Sequence, residues 1–170
     1  MKIFTGKRAK EEKVEQLLLE NYDRYYRLAF SYVHNADDAG DIVQNGAYKA
    51  IRGSSRLKNM DYAATWVYRI MLNEIFGFSR QSKTVSMEAM AEENGAEPAG
   101  TDVYQDFDLR AALDSLDMED KMVVELRYFE DLKLEEIAEI LGENLSTVKS
   151  RLYRSLKKLR VKLSEREEIV

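Results

Sequence analysis

The cationic side chains near the end of the chain are the groups whose types and spacing best suit binding of a charged partner. Between Ser146 and Leu163 the sequence holds seven Lys or Arg and no carboxylate. Apolar residues recur at every third or fourth position of the same stretch, which predicts a helix with one apolar and one basic face. Those apolar residues are Val148, Leu152, Leu156, Leu159 and Leu163. Such a helix needs an anionic partner, and duplex DNA fits this requirement.

A shorter apolar pattern just before this helix predicts a helix-turn-helix. It consists of residues at helical spacing, namely Leu134, Ile137, Ala138 and Leu141. Gly142 then permits the positive φ with which many helices end, and Asn144 or Ser146 can cap the next helix. A basic helix that lies on a membrane or on an acidic partner helix would not need this preceding helix and tight turn. The combination therefore predicts DNA binding.

The composition excludes several other classes of protein. The chain has 170 residues, of which 45% are apolar, enough to form the core of one domain or of two small ones. No stretch is long enough to span a membrane, and the first residues lack the apolar core of a signal peptide. The absence of cysteine excludes disulfides, thiolate zinc sites and a cysteine nucleophile, and it fits the reducing cytoplasm. The net charge of −5 is compatible with DNA binding because acidic and basic residues occupy different segments.

An acidic segment marks the boundary between two modules. From Thr84 to Asp108 the chain carries seven Asp or Glu, no Lys or Arg, and its only proline. This composition, without sustained periodicity, predicts a flexible acidic linker that serves as a solvated spacer. The sequence on both sides has helical periodicity. We therefore predict an all-α protein of two small helical domains, residues 1–81 and 109–170, joined by a linker over residues 82–108.

Three helices are predicted in the first module, over Lys10–His34, Ala39–Ile51 and Tyr62–Phe78. The third helix is rich in aromatic residues, most of which are expected in the core. It also carries Arg69 and Asn73 one turn apart. Bases taken out of a duplex need aromatic stacking surfaces and guanidinium or amide partners, so this helix is a candidate for binding unpaired nucleotides.

The second module is predicted to have two further helices before the helix-turn-helix, over Leu109–Ser115 and Glu119–Phe129. Asp117 is expected to cap the second of them, and Asp120 in its first turn is expected to interact favourably with the helix dipole. The expected core residues of this scaffold are Leu113, Leu116, Met122, Val123, Leu126 and Phe129.

The order of these segments resembles that of a known family, the bacterial RNA polymerase sigma factors of the small, two-domain extracytoplasmic-function type. Residues 38–44 (DAGDIVQ) are similar to that family's polymerase-binding helix. Residues 65–70 (TWVYRI) with Asn73 are similar to its promoter-melting helix. The fourth region of the family is similar to residues 126–129 (LRYF), 136–138 (EIA) and 147–152 (TVKSRL). The resemblance extends from about Asn21 to Leu163.

The resemblance implies a site for each partner. The residues that would dock on the clamp helices of the polymerase largest subunit are Asp41, Gln44, Asn45 and Lys49. In the loop before the aromatic helix, those approaching the non-template strand would be Arg56, Lys58 and Asn59. Those opening the minus-ten element and holding its flipped bases would be Trp66, Arg69 and Asn73. In the major groove of the minus-thirty-five element the residues would be Thr147, Lys149, Ser150, Arg151 and Arg154. Lys157 and Lys158 would contact phosphates.

The resemblance also implies how the protein would work and with which partners. These are core RNA polymerase, through its clamp helices and flap, promoter DNA and an anti-sigma protein. The linker would thread the RNA exit path of the polymerase. Promoter opening would come from binding energy, so we expect no catalytic residue and no cofactor. The free protein is expected to be a cytoplasmic monomer that does not insert into the membrane.

Three positions depart from the pattern of the family. Gly46 lies in the polymerase-binding helix, where it lowers helix stability by about 1 kcal/mol relative to Ala. Asp117 stands where proline is common. Glu143 introduces an acid into the turn of the helix-turn-helix, where it could lie near a phosphate. These departures leave the promoter sequence and the details of docking open.

Two other classes of function are alternatives. A stand-alone helix-turn-helix regulator would bind a palindromic operator as a dimer, but no additional dimerisation helix is visible. An enzyme would have few catalytic groups available, because the chain has one histidine (His34), no cysteine and no Gly-rich phosphate loop. Asp37, Asp38 and Asp41 lack the spacing of a calcium loop, so no metal site is expected. His34 at a helix end is expected to be a cap or a surface residue.

Overall fold

The structure is a computed structural model that describes the backbone of residues 2–86 and 102–168 and the side chains of residues 6–81 and 108–165. The regular elements of these residues are helical. The α-helices are α1 (Lys2–Glu20), α2 (Tyr22–Val33), α3 (Ala36–Gly53), α4 (Ala63–Ser86), α5 (Asp102–Asp114), α6 (Met118–Tyr128), α7 (Leu134–Leu141) and α8 (Leu145–Glu168). Short 3-10 helices at Ser54–Arg56 and Met60–Tyr62 lie between α3 and α4. The chain forms two compact units, residues 1–88 and 89–170. The prediction of an all-α protein with two helical modules is confirmed.

The first unit is a bundle in which α3 packs between α2 and α4, and α1 packs against the other three helices. Its core is formed by apolar side chains that each helix turns inward. These include Val14, Tyr25, Ile42, Val43, Val67, Met71 and Ile75. Tyr25 and Tyr68 meet edge to face, with ring centroids 5.3 Å apart. The bundle thereby holds α3 and α4 side by side.

The first predicted helix is divided into two, so the prediction of one helix over Lys10–His34 is wrong. α1 ends at Glu20, and Asn21 has a non-helical ψ of 14°. The Asn21 side-chain amide donates a hydrogen bond of 2.9 Å to the carbonyl of Leu17, which its backbone N–H also contacts. The break therefore lies in the backbone angles of Asn21, while its backbone N–H keeps the regular bond to the fourth residue before it.

The connection between α2 and α3 is capped on both sides. His34 adopts a left-handed conformation at φ 54° and its N–H donates to the carbonyl of Phe30. Asn35 is the N-cap of α3, and its side-chain oxygen accepts a hydrogen bond of 3.0 Å from the N–H of Asp38. Asp37 and Asp38 lie in the first turn of α3, where carboxylates interact favourably with the helix dipole.

Gly46 does not interrupt α3, which is continuous from Ala36 to Gly53. The residue is buried, and a Cβ added there would lie 3.0 Å from Cε of Met71 and closer still to its Sδ. Met71 of α4 is itself fully buried. The lower helix stability expected at Gly46 stays a prediction. The missing side chain permits a close approach of α3 to Met71 of α4.

The second unit is built around α6 and α8. α8 packs against α5, α6 and α7, and α7 also packs against α6. The buried apolar residues of this core include Leu113, Leu116, Met122, Val123, Leu126, Ile137 and Val148. Five of the six predicted core residues are among them, namely Leu113, Leu116, Met122, Val123 and Leu126.

Two predictions at the ends of α6 are wrong. Phe129 is 57% exposed, whereas Glu130 is buried. Phe129 is the C-cap of α6, and its N–H still donates a 2.9 Å helical bond to the carbonyl of Glu125, but its side chain lies on the exposed side of the helix. At the other end, Asp117 occupies the N-cap position, but its side chain makes no capping hydrogen bond.

Both ends of the segment interpreted as a linker, residues 82–108, are helical. α4 continues to Ser86, and α5 begins at Asp102. Residues 87–101, which carry most of the predicted linker, lie outside the described residues.

Candidate nucleic-acid interface

The helix-turn-helix is formed by α7, a three-residue turn and α8. Gly142 has φ 66° and ψ 33°, and the N–H of Glu143 donates a 3.0 Å hydrogen bond to the carbonyl of Ala138. The predicted glycine turn is therefore confirmed, since this conformation favours a residue without Cβ. α8 begins at Leu145, and the Asn144 carbonyl accepts the first helical bond from the N–H of Val148.

The apolar face of α8 anchors the helix to the second unit. Val148, Leu152 and Leu159 are buried, whereas Leu156 and Leu163 are half-buried. Ser155 lies on the same face and is fully buried. The predicted apolar stripe is confirmed, and it turns the opposite face of the helix outward.

Six of the seven residues of α8 that were predicted to contact DNA are exposed. These are Thr147, Lys149, Ser150, Arg154, Lys157 and Lys158. The side chain of Arg154 is 57% exposed. A cationic surface, the α8 face, is therefore accessible to a polyanion. Basic side chains can contact phosphates or guanine edges, and small polar side chains can contact either phosphates or bases.

Arg151 differs from the other six residues. Its side chain is only 24% exposed, and Nη2 donates a 3.1 Å hydrogen bond to Oε1 of Glu143. Its Nη1 lies 3.6 Å from Oδ1 of Asp120 in α6. The acid at 143, which was expected near a phosphate, is therefore engaged by an arginine of the protein. The Arg151 guanidinium is thus paired with two carboxylates of its own domain. A contact between Arg151 and a base stays a prediction.

Two residues of this surface were missed by the sequence analysis. Asp120 was interpreted only as a helix-dipole residue, but it is 2% exposed and its Oδ1 lies 3.5 Å from Nη2 of Arg154. No local pattern relates residues that far apart in the chain. Tyr153 is 64% exposed between Lys149 and Lys157, at helical spacing from both. Its position off the apolar stripe was the signal that could have identified it.

In the first unit, an open cleft of about 460 Å³ lies where α3, the following loop and α4 meet. Its lining combines cationic, aromatic and amide side chains, together with one acid. These residues are Lys49, Arg52, Gly53, Arg56, Trp66, Ile70, Asn73 and Glu74. The cleft brings together three predicted strand-binding residues, Arg56, Trp66 and Asn73. An indole beside guanidinium and amide groups can stack on a base and hydrogen-bond its edge.

The other residues predicted for the minus-ten element lie elsewhere. Arg69 is not part of the cleft lining; it is half-buried and its Nη1 donates a 2.9 Å hydrogen bond to the hydroxyl of Tyr62. Lys58 and Asn59 are exposed in the loop. The Asn59 side-chain oxygen accepts a 3.0 Å hydrogen bond from the N–H of Asp61, which stabilises the 3-10 turn that follows. The buried side chain of Leu57 anchors the loop.

The residues predicted to bind polymerase are all exposed on α3. They are Asp41, Gln44, Asn45 and Lys49. Lys49 forms an ion pair with Glu74 of α4, so it belongs both to this surface and to the cleft. Next to it, Nη1 of Arg52 donates a 2.7 Å hydrogen bond to the hydroxyl of Tyr48.

Within the described residues, no group of three or more His, Asp or Glu side chains is arranged to hold a metal ion. The helices of the same residues include none that is both long enough and apolar enough to cross a membrane.

Comparison with known proteins identifies the family. Residues 17–84 match Sigma-70 region 2, and residues 106–159 match Sigma-70, region 4. The chain is 44% identical over 143 residues to RNA polymerase sigma factor SigV of Bacillus subtilis (strain 168). The aligned residues cover 84% of this chain and 86% of that protein. It is 34% identical over 164 residues to ECF RNA polymerase sigma factor SigE of Mycolicibacterium smegmatis, covering 92% of this chain and 63% of that protein.

The fold is similar to that of a solved structure, the sigma factor RpoE in complex with the anti-sigma factor NepR from Bartonella quintana. The TM-score is 0.70 at 24% sequence identity, covering 88% of this chain and 96% of that one. Two sigma-70 regions in order and a relative at 44% identity carry the assignment. The chain therefore belongs to the sigma-70 family, as an RNA polymerase sigma factor of the extracytoplasmic-function type.

Proposed function

We propose that this sigma factor, which binds core RNA polymerase and directs initiation at specific promoters, reads its promoter with two separate surfaces. The α8 face binds the minus-thirty-five element as duplex DNA. The cleft of the first unit binds unpaired bases of the minus-ten element. The observation that carries this proposal is the exposure of six of the seven predicted DNA-binding residues of α8, beside a buried apolar stripe that anchors the helix.

On the α8 face, base contacts and phosphate contacts come from different residues. Ser150, Tyr153 and Arg154 occupy the exposed side of the helix and contact base edges. An arginine can bind guanine through two hydrogen bonds, worth about 1–3 kcal/mol of discrimination, and an aromatic ring can contact a thymine methyl group. Lys157 and Lys158 contact phosphates, which contributes affinity and salt dependence without sequence information.

In the cleft, the Trp66 ring stacks on a base of the non-template strand and the Asn73 amide binds the edge of that base. Arg56 at the rim interacts with the backbone phosphates. This division is supported by the joint presence of all three residues in the cleft lining. Lys58, Asn59 and Arg69 contribute from the adjoining loop and helix. Stacking on an aromatic side chain is worth about 1–3 kcal/mol per base.

The exposed side of α3 binds the clamp helices of the largest polymerase subunit through Asp41, Gln44, Asn45 and Lys49. The second unit contacts the polymerase flap. With both units held on one polymerase, binding of one promoter element raises the effective concentration of the other. Strand opening then results from preferential binding of the separated strand. The protein acts as a regulatory subunit that positions the polymerase, not as a catalyst.

The protein is further proposed to act in the cytoplasm, to be monomeric when free and to be held inactive by an anti-sigma protein. The resemblance in fold to a sigma factor that was crystallised with its anti-sigma factor supports this regulation. Residues 82–108 form the connection that threads the RNA exit path.

A run-off transcription experiment tests the function. Purified protein and bacterial core polymerase are incubated with genomic fragments, and the transcripts are sequenced to identify start sites. Initiation that recurs downstream of one shared pair of elements, and that requires the protein, is the expected result. Random initiation would contradict the proposal. Sequence-specific binding of a protein dimer to a palindrome without polymerase would instead favour a stand-alone regulator.

A further inference from the structure

A buried carboxylate lies beneath the DNA-facing helix. Asp120, in the first turn of α6, is 2% exposed. Its Oδ1 is 3.6 Å from Nη1 of Arg151 and 3.5 Å from Nη2 of Arg154. Arg151 also pairs with Glu143 at 3.1 Å. The cluster thus contains two carboxylates and two guanidinium groups, and its formal charges balance.

The two arginines differ in solvent exposure. Arg151 is enclosed between Glu143 and Asp120, with 24% of its side chain exposed. The side chain of Arg154 is 57% exposed, so it reaches the outer surface while one nitrogen lies near the buried acid. A guanidinium has five N–H donors, so this contact leaves donors for another ligand. Asp120 therefore limits the orientation of Arg154 without covering it.

The burial of the Asp120 carboxylate is not explained by a gain in stability. Burial of a charge is unfavourable unless it is paired, and buried ion pairs contribute little net stability compared with apolar residues of similar size. In contrast, a carboxylate that holds an arginine side chain in its DNA-binding orientation before DNA binds improves recognition. The side chain then loses fewer conformations on binding.

We propose that Asp120 is a positioning residue for promoter specificity: it holds the Arg154 guanidinium, with Arg151 as its buried counterpart, in the orientation that reads the minus-thirty-five element. This inference rests on the proposed function of the α8 face. It predicts opposite effects on two properties. Removal of the Asp120 charge loosens Arg154 and reduces discrimination between bases, whereas the added net positive charge preserves or raises affinity for DNA of any sequence.

The test is transcription by the reconstituted holoenzyme from templates whose minus-thirty-five element is randomised. Sequencing of templates and transcripts yields a base preference at each position. For Asp120→Asn we expect a loss of about tenfold in preference at the positions that Arg154→Ala also affects. Transcription from the least favoured templates should be unchanged or higher. A uniform decrease on all templates, with preferences retained, would show that the role of Asp120 is only structural.

Two further variants separate the explanations. Asp131→Asn removes the same charge from the second unit at a side chain that is 97% exposed and pairs with Arg127 at 3.8 Å, so all preferences should be kept. In the double variant Asp120→Asn/Arg154→Ala, preferences should equal those of Arg154→Ala alone, because Asp120 acts through that residue. Additional losses at other positions would overturn the inference.

Thermal unfolding of each variant is measured under the assay conditions. If Asp120→Asn does not fold, Asp120→Glu replaces it, since this change keeps the charge and shifts the carboxylate by one methylene. Retention of every preference in the folded variant overturns the inference but leaves the proposed function intact. Absence of any preference in the wild-type holoenzyme would instead contradict the proposed function.

Discussion

The two units of this sigma factor assemble their nucleic-acid surfaces in different ways. The α8 face consists of residues of one continuous helix, Leu145–Glu168, so helical spacing alone brings them together. The cleft of the first unit is lined by α3, the following loop and α4, and so depends on how these elements pack. In the proposed function, duplex DNA is therefore bound by one helix, whereas an unpaired base is bound in a concave site formed by several elements.

The largest expected effect tests the cleft. Trp66→Ala removes the stacking surface, so transcription from a duplex promoter should fall by about tenfold to a hundredfold. On a template whose minus-ten element is already unpaired the loss should be smaller, because the cost of opening is absent. Run-off transcription from the duplex template and from the pre-opened template measures the two losses. Arg154→Ala is the matched control, since its defect should be equal on the two templates; equal Trp66→Ala losses would contradict a role in strand opening.

The packing of the cleft walls is the next target. Gly46→Leu forces a side chain against buried Met71, so the free energy of unfolding of the first unit should fall by about 1–3 kcal/mol. The single tryptophan, Trp66, lies in this unit, so its fluorescence in a urea titration reports on the first unit. Gly77→Leu is the control, because a Cβ at Gly77 meets no atom within 4 Å. A Gly46→Leu protein as stable as the wild type would show that the Met71 side chain or the helices can move aside without cost.

In the second unit, substitution of Gly142 is limited by its backbone conformation. Gly142→Ala at φ 66° should reduce stability by about 1–2 kcal/mol. Gly142→Asn should cost less, since asparagine tolerates the left-handed region. Circular dichroism during denaturation measures the change, and tryptophan fluorescence should not respond. An Ala variant as stable as the wild type would mean that the turn can adopt another geometry.

The smallest expected effect concerns a phosphate contact. Lys158→Ala should weaken holoenzyme binding to matched and mismatched upstream elements alike. The slope of log affinity against log salt should decrease in magnitude by about 0.9. A salt titration of holoenzyme on both DNAs, followed by fluorescence anisotropy, measures this change. Loss on the matched DNA alone would make Lys158 a base-reading residue.

The fold could be predicted from the sequence wherever the signal was local. The apolar spacing of α8 and the glycine at 142 both predicted what is observed, because each concerns residues within one or two helical turns. Asn21 shows where this fails, because its non-helical backbone angles divide a region of continuous apolar periodicity. Phe129 shows a second limit, because an apolar residue that keeps the helical geometry at the end of α6 is nevertheless exposed.

The candidate site shows the same difference. The basic residues of α8 were predicted as a DNA-binding set from the sequence, but the acid that pairs with two of them was not predicted. Asp120 precedes Arg154 by 34 positions, and its carboxylate meets the arginine only because α6 packs against α8. Arg69 was grouped with Trp66 by sequence proximity, although its guanidinium is directed to the hydroxyl of Tyr62 rather than to the cleft.

By itself, the sequence determined the helical content, the order of the two modules and the sign of charge along α8. These properties depend on neighbouring residues, whose periodicity and charge are independent of how helices cross. Only the tertiary structure decided that Arg151 is enclosed while Arg154 reaches solvent, and that Lys49, Trp66 and Asn73 share one cleft. These outcomes depend on contacts between helices, which bring distant residues to within a few ångströms and set the exposure of each charge.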